Sequence, residues 1–331
     1  MIRSFVLSLL VAASPVGAAT YTLLPAGQGF DRLQAAVDAA GDGDATILIA
    51  PGVHRDCAVQ SAGRITYRGA VPGKTIFEGA TCEDKATLVL RGRGAVVEGL
   101  VFRRLGVSDG NAAGIRAEKG PLSVSNSIFR DSEQGILGNS DPQADIRIDR
   151  STFAGLGRCD RDLACAHSIY IGHYKSVTVT RSRFERGRGG HYVKSRAARI
   201  AISDSSFDDT RGHTTNYMID LPAGATGTIQ RNIFVQGHDK ENHSAFVAVG
   251  AESRDNPSAG LAVVGNRAHQ APGITWPAAL VSDWTKSPMR IERNVVSPRI
   301  TEYRGAEGAE PPSLKRDIRR VLAAVRDRIL G

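Results

Sequence analysis

One short motif recurs along most of this chain, and it constrains the fold more strongly than any other feature of the sequence. Alternating apolar residues lead into Asn, Ser or Asp and end at Phe or an aliphatic residue, as in LSVSNSIF, IRIDRSTF and VTVTRSRF. The copies end at Phe102, Phe129, Phe153, Phe184, Phe207, Phe234, Ala268 and Val296. Short period-two strands that return at a varying interval, with turn residues between them, predict a parallel β-solenoid.

A second short apolar segment precedes the copies, as in AGIRA, HSIYIG and YMIDL. A β-sandwich would place a turn about every 8 to 12 residues and would not repeat one motif. A parallel sheet with crossover helices needs helical segments between its strands, and residues 45–298 contain no such pattern. The sequence therefore predicts an all-β fold, a single-stranded right-handed parallel β-helix.

The two ends of the chain differ from the repeat. Residues 1–19 combine Arg3, a short apolar stretch and small residues before a cleavage point, which is typical of a secretory signal peptide. We expect a β-helix domain over residues 20–300, with an amphipathic capping helix at 30–40. Residues 301–331 are expected to form a linker and a second amphipathic helix.

This arrangement predicts an exported protein, located in the periplasm or outside the cell. After the N-terminal segment, no apolar run is long enough to span a membrane. A solenoid covered at both ends is expected to be a monomer.

Export favours disulfides for the four cysteines. Four cysteines allow three pairings, and closeness in sequence favours Cys159 with Cys165. Cys57 would then pair with Cys82. There is no CxxC pair, which argues against a zinc site, and we predict no metal ligands among the cysteines.

Basic residues exceed acidic residues, since 42 Lys and Arg against 34 Asp and Glu give a formal net charge of +8. Such an excess favours a polyanionic partner, and guanidinium groups suit bidentate contact with carboxylates. An exported protein without a recognised nucleic-acid-binding motif points to an acidic polysaccharide and not to nucleic acid. Part of the excess of basic residues lies in the stretch from Arg181 to Arg199, which includes Arg188. We expect this stretch to contact the polyanion.

Counting back about 13 or 14 residues from the Phe of a motif leads to a polar residue in the preceding strand. This count reaches Tyr170, Lys194 and Asp220 in successive coils, and Arg116 in an earlier one. Their neighbours in the strand are apolar or small and should point inward, so these side chains should point outward. Because stacked strands lie roughly 4.8 Å apart, the polar side chains are expected to form one column on the outer face.

The segment GFDRLQAAVDAAGDGDATILIAPGVHRD resembles the N-terminal part of the pectate-lyase-like right-handed parallel β-helix superfamily, and the repeat up to about residue 300 resembles the same superfamily. Within the repeat, YIGHYKSVTVTRSRFERGRGGHYVKSRA is similar to a group of exported bacterial β-helix proteins. The resemblance implies cleavage, epimerisation or binding of polysaccharides, which are often acidic. It also implies a Lys or Arg base, because some lyases of the superfamily use one. Those lyases often bind calcium as well.

β-Elimination of a uronate polymer removes the C5 proton, which is α to the carboxylate, and expels the oxygen at C4. The carboxylate must therefore be neutralised, by Arg, a metal or a protonated acid. Lys194 is the candidate base, provided that Arg196 or desolvation lowers its pKa. Tyr170 or His191 is the candidate proton donor to the leaving oxygen. Asp220 offers calcium a single carboxylate, whereas that cation takes six to eight oxygens.

Other polar residues of these coils are expected to assist or to stabilise turns. The predicted catalytic residues are Lys194, Tyr170, His191 and Arg196. The predicted substrate-binding residues are Arg116, Tyr192, Asp220, His173 and Arg188, with Tyr192 and Arg196 on the same face as Lys194. Histidines are concentrated in the same coils, at positions His167, His173, His191, His213 and His243. An Asn ladder at turns is predicted for Asn126, Asn232, Asn266 and Asn294.

We rank a polysaccharide lyase first, but other functions stay open at this point. Lys194 and Asp220 on neighbouring strands would equally form a surface ion pair without catalysis. A C5 epimerase would use nearly the same groups, and a non-catalytic β-helix that binds or organises an exported or surface polysaccharide would need only the basic face. Hydrolysis ranks lower because Asp208 and Asp209, the adjacent acids of the central coils, fall in a turn and not across a groove.

Overall fold

A computed structural model describes residues 19–305 of the 331-residue chain. Over this range the backbone winds into a parallel β-solenoid with three long sheets, and each coil adds one strand to each sheet. The predicted signal peptide, apart from its last residue, and the predicted C-terminal helix lie outside the described residues. Within the described part of the chain, no helix is long and apolar enough to cross a membrane.

The three sheets contain twelve, ten and ten strands. Sheet A consists, in spatial order, of Gln28–Phe30, Tyr21–Leu24, Asp44–Ile49, Arg64–Gly69, Gly94–Glu98, Leu122–Ser125, Asp141–Asp149, Tyr174–Thr180, Arg199–Ser203, Thr226–Gln230, Ala262–Val264 and Arg290–Glu292. Sheet B consists of Gly52–His54, Thr75–Glu78, Leu100–Arg103, Ile128–Arg130, Thr152–Ala154, Arg183–Glu185, Ser206–Asp208, Ile233–Gln236, Arg267–Gln270 and Val295–Val296. Sheet C consists of Ala58–Gln60, Ala86–Leu90, Ala113–Ala117, Gln134–Gly138, Ile169–Ile171, Val193–Ser195, Ile219–Leu221, Ala245–Val249, Ala278–Asp283 and Ile300–Arg304.

The strands form because apolar residues alternate with polar ones, so that one side of each strand faces the interior. In Tyr174–Thr180, for example, Val177 and Val179 are buried whereas Thr178 and Thr180 are partly exposed. The pairing is parallel from coil to coil, except at the N-terminal end, where Tyr21–Leu24 pairs antiparallel with both of its neighbours. The predicted all-β parallel solenoid is thereby confirmed.

The Phe of the repeat forms a continuous stack inside sheet B. The rings of Phe77, Phe102, Phe129, Phe153, Phe184, Phe207 and Phe234 follow one another with centroids 4.7–5.7 Å apart. All seven side chains are buried. Parallel register places equivalent residues one above the other, and near-parallel stacked aromatic rings are favourable at this spacing. The stack therefore helps to fix the register of the seven coils from Phe77 to Phe234.

Hydrogen bonds from coil to coil fix the turn between sheets A and B. One Ser or Asn occupies the same position of this turn in successive coils, and its backbone N–H donates to the side-chain oxygen of its counterpart in the next coil over 2.9–3.3 Å. The residues of this ladder are Ser127, Ser151, Ser182, Ser205, Asn232, Asn266 and Asn294.

One member of the predicted Asn ladder is wrong. Asn126 lies one residue before the ladder position, which Ser127 occupies in that coil. The backbone of Asn126 has φ of 49°, a left-handed conformation that Asn tolerates better than most residues. Its role is to make the turn, and the hydroxyl of Ser127 takes the place of an amide oxygen in the ladder.

The first coil carries the one α-helix of the described residues, Leu33–Ala40, which begins later than the predicted 30–40. Leu33, Ala36 and Val37 are buried, and the helix contacts strands Tyr21–Leu24 and Ala58–Gln60. Its first N–H, on Leu33, donates to the Asp56 carboxylate over 2.7 Å. A residue distant in sequence therefore satisfies the start of the helix, where Arg32 supplies no side-chain cap.

Both predicted disulfides form in the structure. Cys57 pairs with Cys82, which joins the first two coils, and Cys159 pairs with Cys165, which closes a short loop ahead of strand Ile169–Ile171. This is the pairing that closeness in sequence favoured.

Removing one ring from the Phe stack should destabilise the solenoid strongly. Phe153 is fully buried, and its ring lies 4.9 Å from both Phe129 and Phe184. We expect Phe153→Ala to lower the free energy of unfolding by about 3–5 kcal/mol. Urea denaturation followed by circular dichroism measures this change.

The control lies in the same sheet. Ile233 is half exposed, so Ile233→Ala should change the free energy of unfolding by no more than about 0.5 kcal/mol. An equal decrease in the free energy of unfolding in the two variants would show that the Phe stack does not hold the strands in register.

Candidate functional site

The predicted outward column exists on sheet C. Tyr170 pairs with Lys194 across the first two strands, and Lys194 pairs with Asp220 across the next two. Their strand neighbours Ile169 and Ile219 are fully buried, as the alternation required. Parallel stacking therefore brings side chains from three successive coils to one place.

Lys194 lies at the centre of this group, between two carboxylates. Its Nζ is 3.0 Å from Oδ2 of Asp220 and 2.5 Å from Oε1 of Glu252. The Lys194 and Asp220 side chains are only 10% and 4% exposed, whereas Glu252 is 38% exposed. Oδ1 of Asp220 is buried and has no hydrogen-bond partner. This is a shielded ion-pair cluster rather than an open surface pair.

Arg196 joins the cluster from the other side. Its Nη2 contacts Oε2 of Glu252, and its Nε donates to the phenol oxygen of Tyr170 over 3.1 Å. The Nζ of Lys194 lies 5.8 Å from the centroid of the Tyr170 ring, within the range of a cation–π contact. A phenol, an amine and a guanidinium group therefore meet on one face.

His191 lies beside the column and contacts it. Its Nε2 is 3.5 Å from Oδ2 of Asp220, and its Nδ1 is 3.2 Å from Nδ1 of His167. The phenol ring of Tyr217 follows in the next coil, with its centroid 5.9 Å from that of the His191 imidazole. Burial, together with the positive charge of Lys194, lowers the pKa of His191 well below its ordinary value. His191 is therefore neutral at physiological pH.

The condition for Lys194 to act as a base, a pKa lowered by Arg196 or by desolvation, is not met in this structure. Burial does act in that direction, but the carboxylates of Asp220 and Glu252 outweigh it and raise the pKa of Lys194 above its ordinary value. Lys194 and Arg196 in turn hold the pKa of Glu252 below its usual range, although burial opposes this. Lys194 is therefore a charged ammonium group in this arrangement.

Tyr192 does not lie on the outer face, which corrects the prediction. It is buried in the core, with its ring 6.3 Å from that of Phe184 and 6.4 Å from that of Phe207. Its hydroxyl donates to Asp209 over 2.7 Å. Tyr192 and Val193 both point inward because the chain bends where it enters sheet C, so strict alternation fails at this residue.

The buried Asp209 serves the interior and not a groove. Besides the Tyr192 hydroxyl, it binds Thr215 over 2.7 Å and the Nζ of the buried Lys240 over 3.0 Å. Its neighbour Asp208 accepts from the hydroxyl of Thr210 at the surface. The two acids thus have separate structural partners, and they do not flank a common groove.

Two predicted binding residues lie away from the cluster. Arg116 is in the same outward column, but Leu137 separates it from Tyr170. Burial lowers the pKa of Arg116, and its Nε is buried without a hydrogen-bond partner, 3.8 Å from Glu118. Arg188 donates to the carbonyl oxygen of Ser132, in the turn before sheet C.

The basic stretch from Arg181 to Arg199 does not form one positive surface. Arg181 makes two 2.7 Å hydrogen bonds to Asp149, and Arg183 pairs with Glu185. Their charges are thereby matched on sheets A and B, away from Lys194. Only the end of the stretch contributes to the site.

A shallow cleft of about 280 Å³ adjoins Arg196, between sheets C and A. It is lined by Pro142, His173, Tyr174, Lys175, Arg196, Ala198, Arg199 and Asn256. None of these lining residues is acidic, and the cleft contains the predicted binding residue His173. The backbone N–H of His173 donates to the hydroxyl of Ser140. The cleft is the one part of the site that is open and basic.

The sequence did not reveal Glu252 or the cleft residue Asn256. Both lie in the turn that follows strand Ala245–Val249, and its residues have no fixed offset from a Phe of the repeat. No signal in the sequence distinguished Glu252 from the other acids of turns.

A calcium site does not fit at Asp220. Both nearby carboxylates, Asp220 and Glu252, already contact the ammonium of Lys194, which would repel a divalent cation. Among residues 19–305, one group of three potential metal ligands lies close together, Cys159, Cys165 and Glu241. Its two sulfurs are joined in a disulfide and are not thiolate ligands.

Comparison with solved structures finds the same architecture at low sequence identity. An alginate lyase from Paenibacillus sp. str. FPU-7 matches with a TM-score of 0.59 and 15% identity, over 83% of this chain and 95% of that chain. ORF18 of Geobacillus virus E2 matches with a TM-score of 0.50 and 13% identity, over 82% of this chain and 57% of that chain.

These similarities establish the fold class. The chain is a parallel β-helix protein, as its resemblance to the pectate-lyase-like superfamily implied. No protein-family model matches the chain, and no curated protein matches its sequence.

Acid should weaken the protein partly through His191. An unfolded His binds a proton below about pH 6.5, whereas folded His191 stays neutral to lower pH because its pKa is lowered. Between those values the unfolded state binds more protons, so the free energy of unfolding falls as pH falls, by up to about 1.4 kcal/mol per pH unit for this group. We expect His191→Gln to lose less stability than the wild type between about pH 7 and pH 5.

Urea denaturation at a series of pH values measures this difference. Values for both proteins at about pH 8, where the unfolded His is also neutral, provide the reference. Parallel curves for wild type and His191→Gln would contradict the assignment.

Proposed function

We propose that the protein is an exported polysaccharide lyase that cleaves a uronate-containing polysaccharide by β-elimination. The observation that carries the proposal is that Tyr170, Lys194 and Arg196 meet on the outer face of sheet C: Arg196 donates to the Tyr170 phenol, and Lys194 and Arg196 share the carboxylate of Glu252. These are the group types that the reaction needs: a proton donor, a base and a cation for the carboxylate. The alginate lyase from Paenibacillus has the same fold, which supports the proposal as an analogy only.

Each group has a defined part in the proposed reaction. Arg196 binds the substrate carboxylate and stabilises the charge that builds on it as the C5–H bond breaks. Neutral Lys194 takes the C5 proton, and the electron pair of that bond forms the C4=C5 double bond. The C4–O bond breaks at the same time, and the leaving oxygen takes the proton of the Tyr170 hydroxyl. The products are an unsaturated uronate end and a free hydroxyl end.

The charged state of Lys194 limits this reaction. As long as Asp220 and Glu252 both contact it, Lys194 holds its proton and cannot accept another. It becomes a base when one carboxylate leaves or when the pH rises. The proposed activity should therefore increase toward alkaline pH, and His191, which is neutral and adjoins Asp220, adds no positive charge to the site.

The basic cleft supports an acidic polymer as substrate. Lys175 and Arg199 line it next to Arg196, and neither makes an ion pair of 4.0 Å or less within the described residues. A second uronate unit that lies in the cleft would place its carboxylate against these cations. The polymer would then cross the face from the cleft to Lys194.

Replacing Lys194 by Arg separates catalysis from simple ion pairing. Arg keeps the positive charge between Asp220 and Glu252 but does not deprotonate in proteins. We expect Lys194→Arg to stay folded and to lose about 10²–10⁴-fold in rate on uronate polymers, the range typical of a missing general base. Tyr170→Phe should lose a similar factor. The ultraviolet absorbance of the unsaturated product measures the rate.

Lys119→Arg, at an exposed lysine of another turn, is the matched control and should keep full activity. Activity that survives in Lys194→Arg would identify Lys194 as an ion-pair partner and not as the base. C5 proton exchange without cleavage would indicate an epimerase. Binding without any product in the wild type would indicate a non-catalytic polysaccharide-binding protein.

Removing the cations of the cleft should weaken polymer binding while the chemistry continues. We expect Lys175→Ala with Arg199→Ala to raise KM roughly five- to thirtyfold, since each exposed charge contact contributes up to about 1 kcal/mol, with kcat nearly unchanged. The effect should shrink at high salt. Lys74→Ala, at an exposed residue near the N-terminal end, is the control. A loss confined to kcat would contradict the assignment.

A further inference from the structure

Glu252 fills the position between the two cations of the site. One of its carboxylate oxygens contacts Nζ of Lys194 at 2.5 Å, and the other contacts Nη2 of Arg196. An ammonium and a guanidinium group that converge on a single carboxylate form an anion-binding position. In this structure the chain's own carboxylate occupies it.

The backbone that carries Glu252 is held firmly. Its N–H donates to the carbonyl oxygen of Pro222 over 3.0 Å, and the preceding Gly250 donates to Leu221 over 2.9 Å. The Asn256 amide binds the carbonyl oxygens of Arg196 and Gly224 at 3.1 and 3.0 Å. The turn therefore stays attached to the solenoid, and rotation of one side chain is enough to empty the position.

The exposure of the three side chains agrees with such a rotation. Glu252 is 38% exposed, whereas Lys194 and Arg196 are 10% and 21% exposed. The carboxylate can turn into solvent, while the two cations remain on the floor of the vacated position.

The charges identify the ligand that would replace Glu252. With Glu252 in place, Lys194 and Arg196 balance Asp220 and Glu252. Without Glu252, Asp220 still contacts Lys194 at 3.0 Å, and one positive charge is left over. One monovalent carboxylate restores the balance, whereas a neutral sugar hydroxyl does not and leaves a shielded charge unpaired.

We propose that this position binds the carboxylate of a uronate unit and that Glu252 occupies it until the substrate displaces its side chain. The inference rests on the proposed function for the identity of the ligand as a uronate. It implies that a methyl-esterified uronate or a neutral polysaccharide cannot displace Glu252.

A first experiment tests the anion position without any sugar. In Glu252→Ala the two cations lose their carboxylate, so added acetate should raise the melting temperature of the variant by several degrees more than that of the wild type. Sodium chloride at equal ionic strength is the control for salt. Glu252→Gln, which keeps the side-chain volume, is a second variant and should respond to acetate in the same direction. Equal responses in wild type and both variants would overturn the anion position.

A second experiment tests the ligand. Calorimetric titration with oligomers of galacturonate, glucuronate, mannuronate and guluronate should give at least tenfold tighter binding to Glu252→Ala than to the wild type, for those oligomers that bind. Methyl-esterified and neutral oligomers should show no such gain. Equal or weaker binding of every uronate oligomer by the variant would overturn the inference.

The two proposals fail in different ways. If Glu252→Ala gains affinity for uronate oligomers but no polymer yields an unsaturated product with wild type or variant, the carboxylate site stands and the lyase proposal falls. If the wild type cleaves a polymer and Glu252→Ala binds it less tightly, the lyase proposal stands and Glu252 is a substrate-binding residue instead of an occupant.

Discussion

The stacking of one Phe per coil is the constraint on which the rest of the structure depends. Because the seven rings follow one another at 4.7–5.7 Å, each strand is held in register with the strands above and below. Register then decides which residues of distant segments become neighbours. Tyr170, Lys194, Asp220 and Glu252 come from four successive coils, and only this register brings their side chains into contact.

The same constraint explains how much the sequence could predict. A residue inside a strand has a fixed offset from the Phe, so the column of Tyr170, Lys194 and Asp220 followed from counting. Tyr192 broke the rule because the chain bends into sheet C with two inward residues in succession, and Asp209 supplies the buried hydroxyl with a partner. Glu252 was beyond prediction because turns vary in length, so a turn residue has no fixed offset.

Burial and charge together set the character of the site. A basic composition suggested a surface dominated by cations, but at the centre two cations face two carboxylates, and burial makes each unpaired charge costly. The site is therefore balanced at rest, and we propose that it accepts an anion only in exchange for the carboxylate of Glu252. The open cleft, lined by Lys175 and Arg199, is where the excess of positive charge remains available to a polymer.

Product analysis in water labelled with a heavy oxygen isotope tests the central claim, that this face cleaves a uronate polymer by elimination. The account predicts that each cut leaves one unsaturated fragment that is lighter by one water than the corresponding hydrolysis product, and that cleavage adds the label to neither fragment, because no water enters the broken bond. Fragments that gain the label during cleavage, with no unsaturated fragment among the products, would show hydrolysis and contradict the account. A set of uronate polymers that bind and remain uncut would contradict it equally.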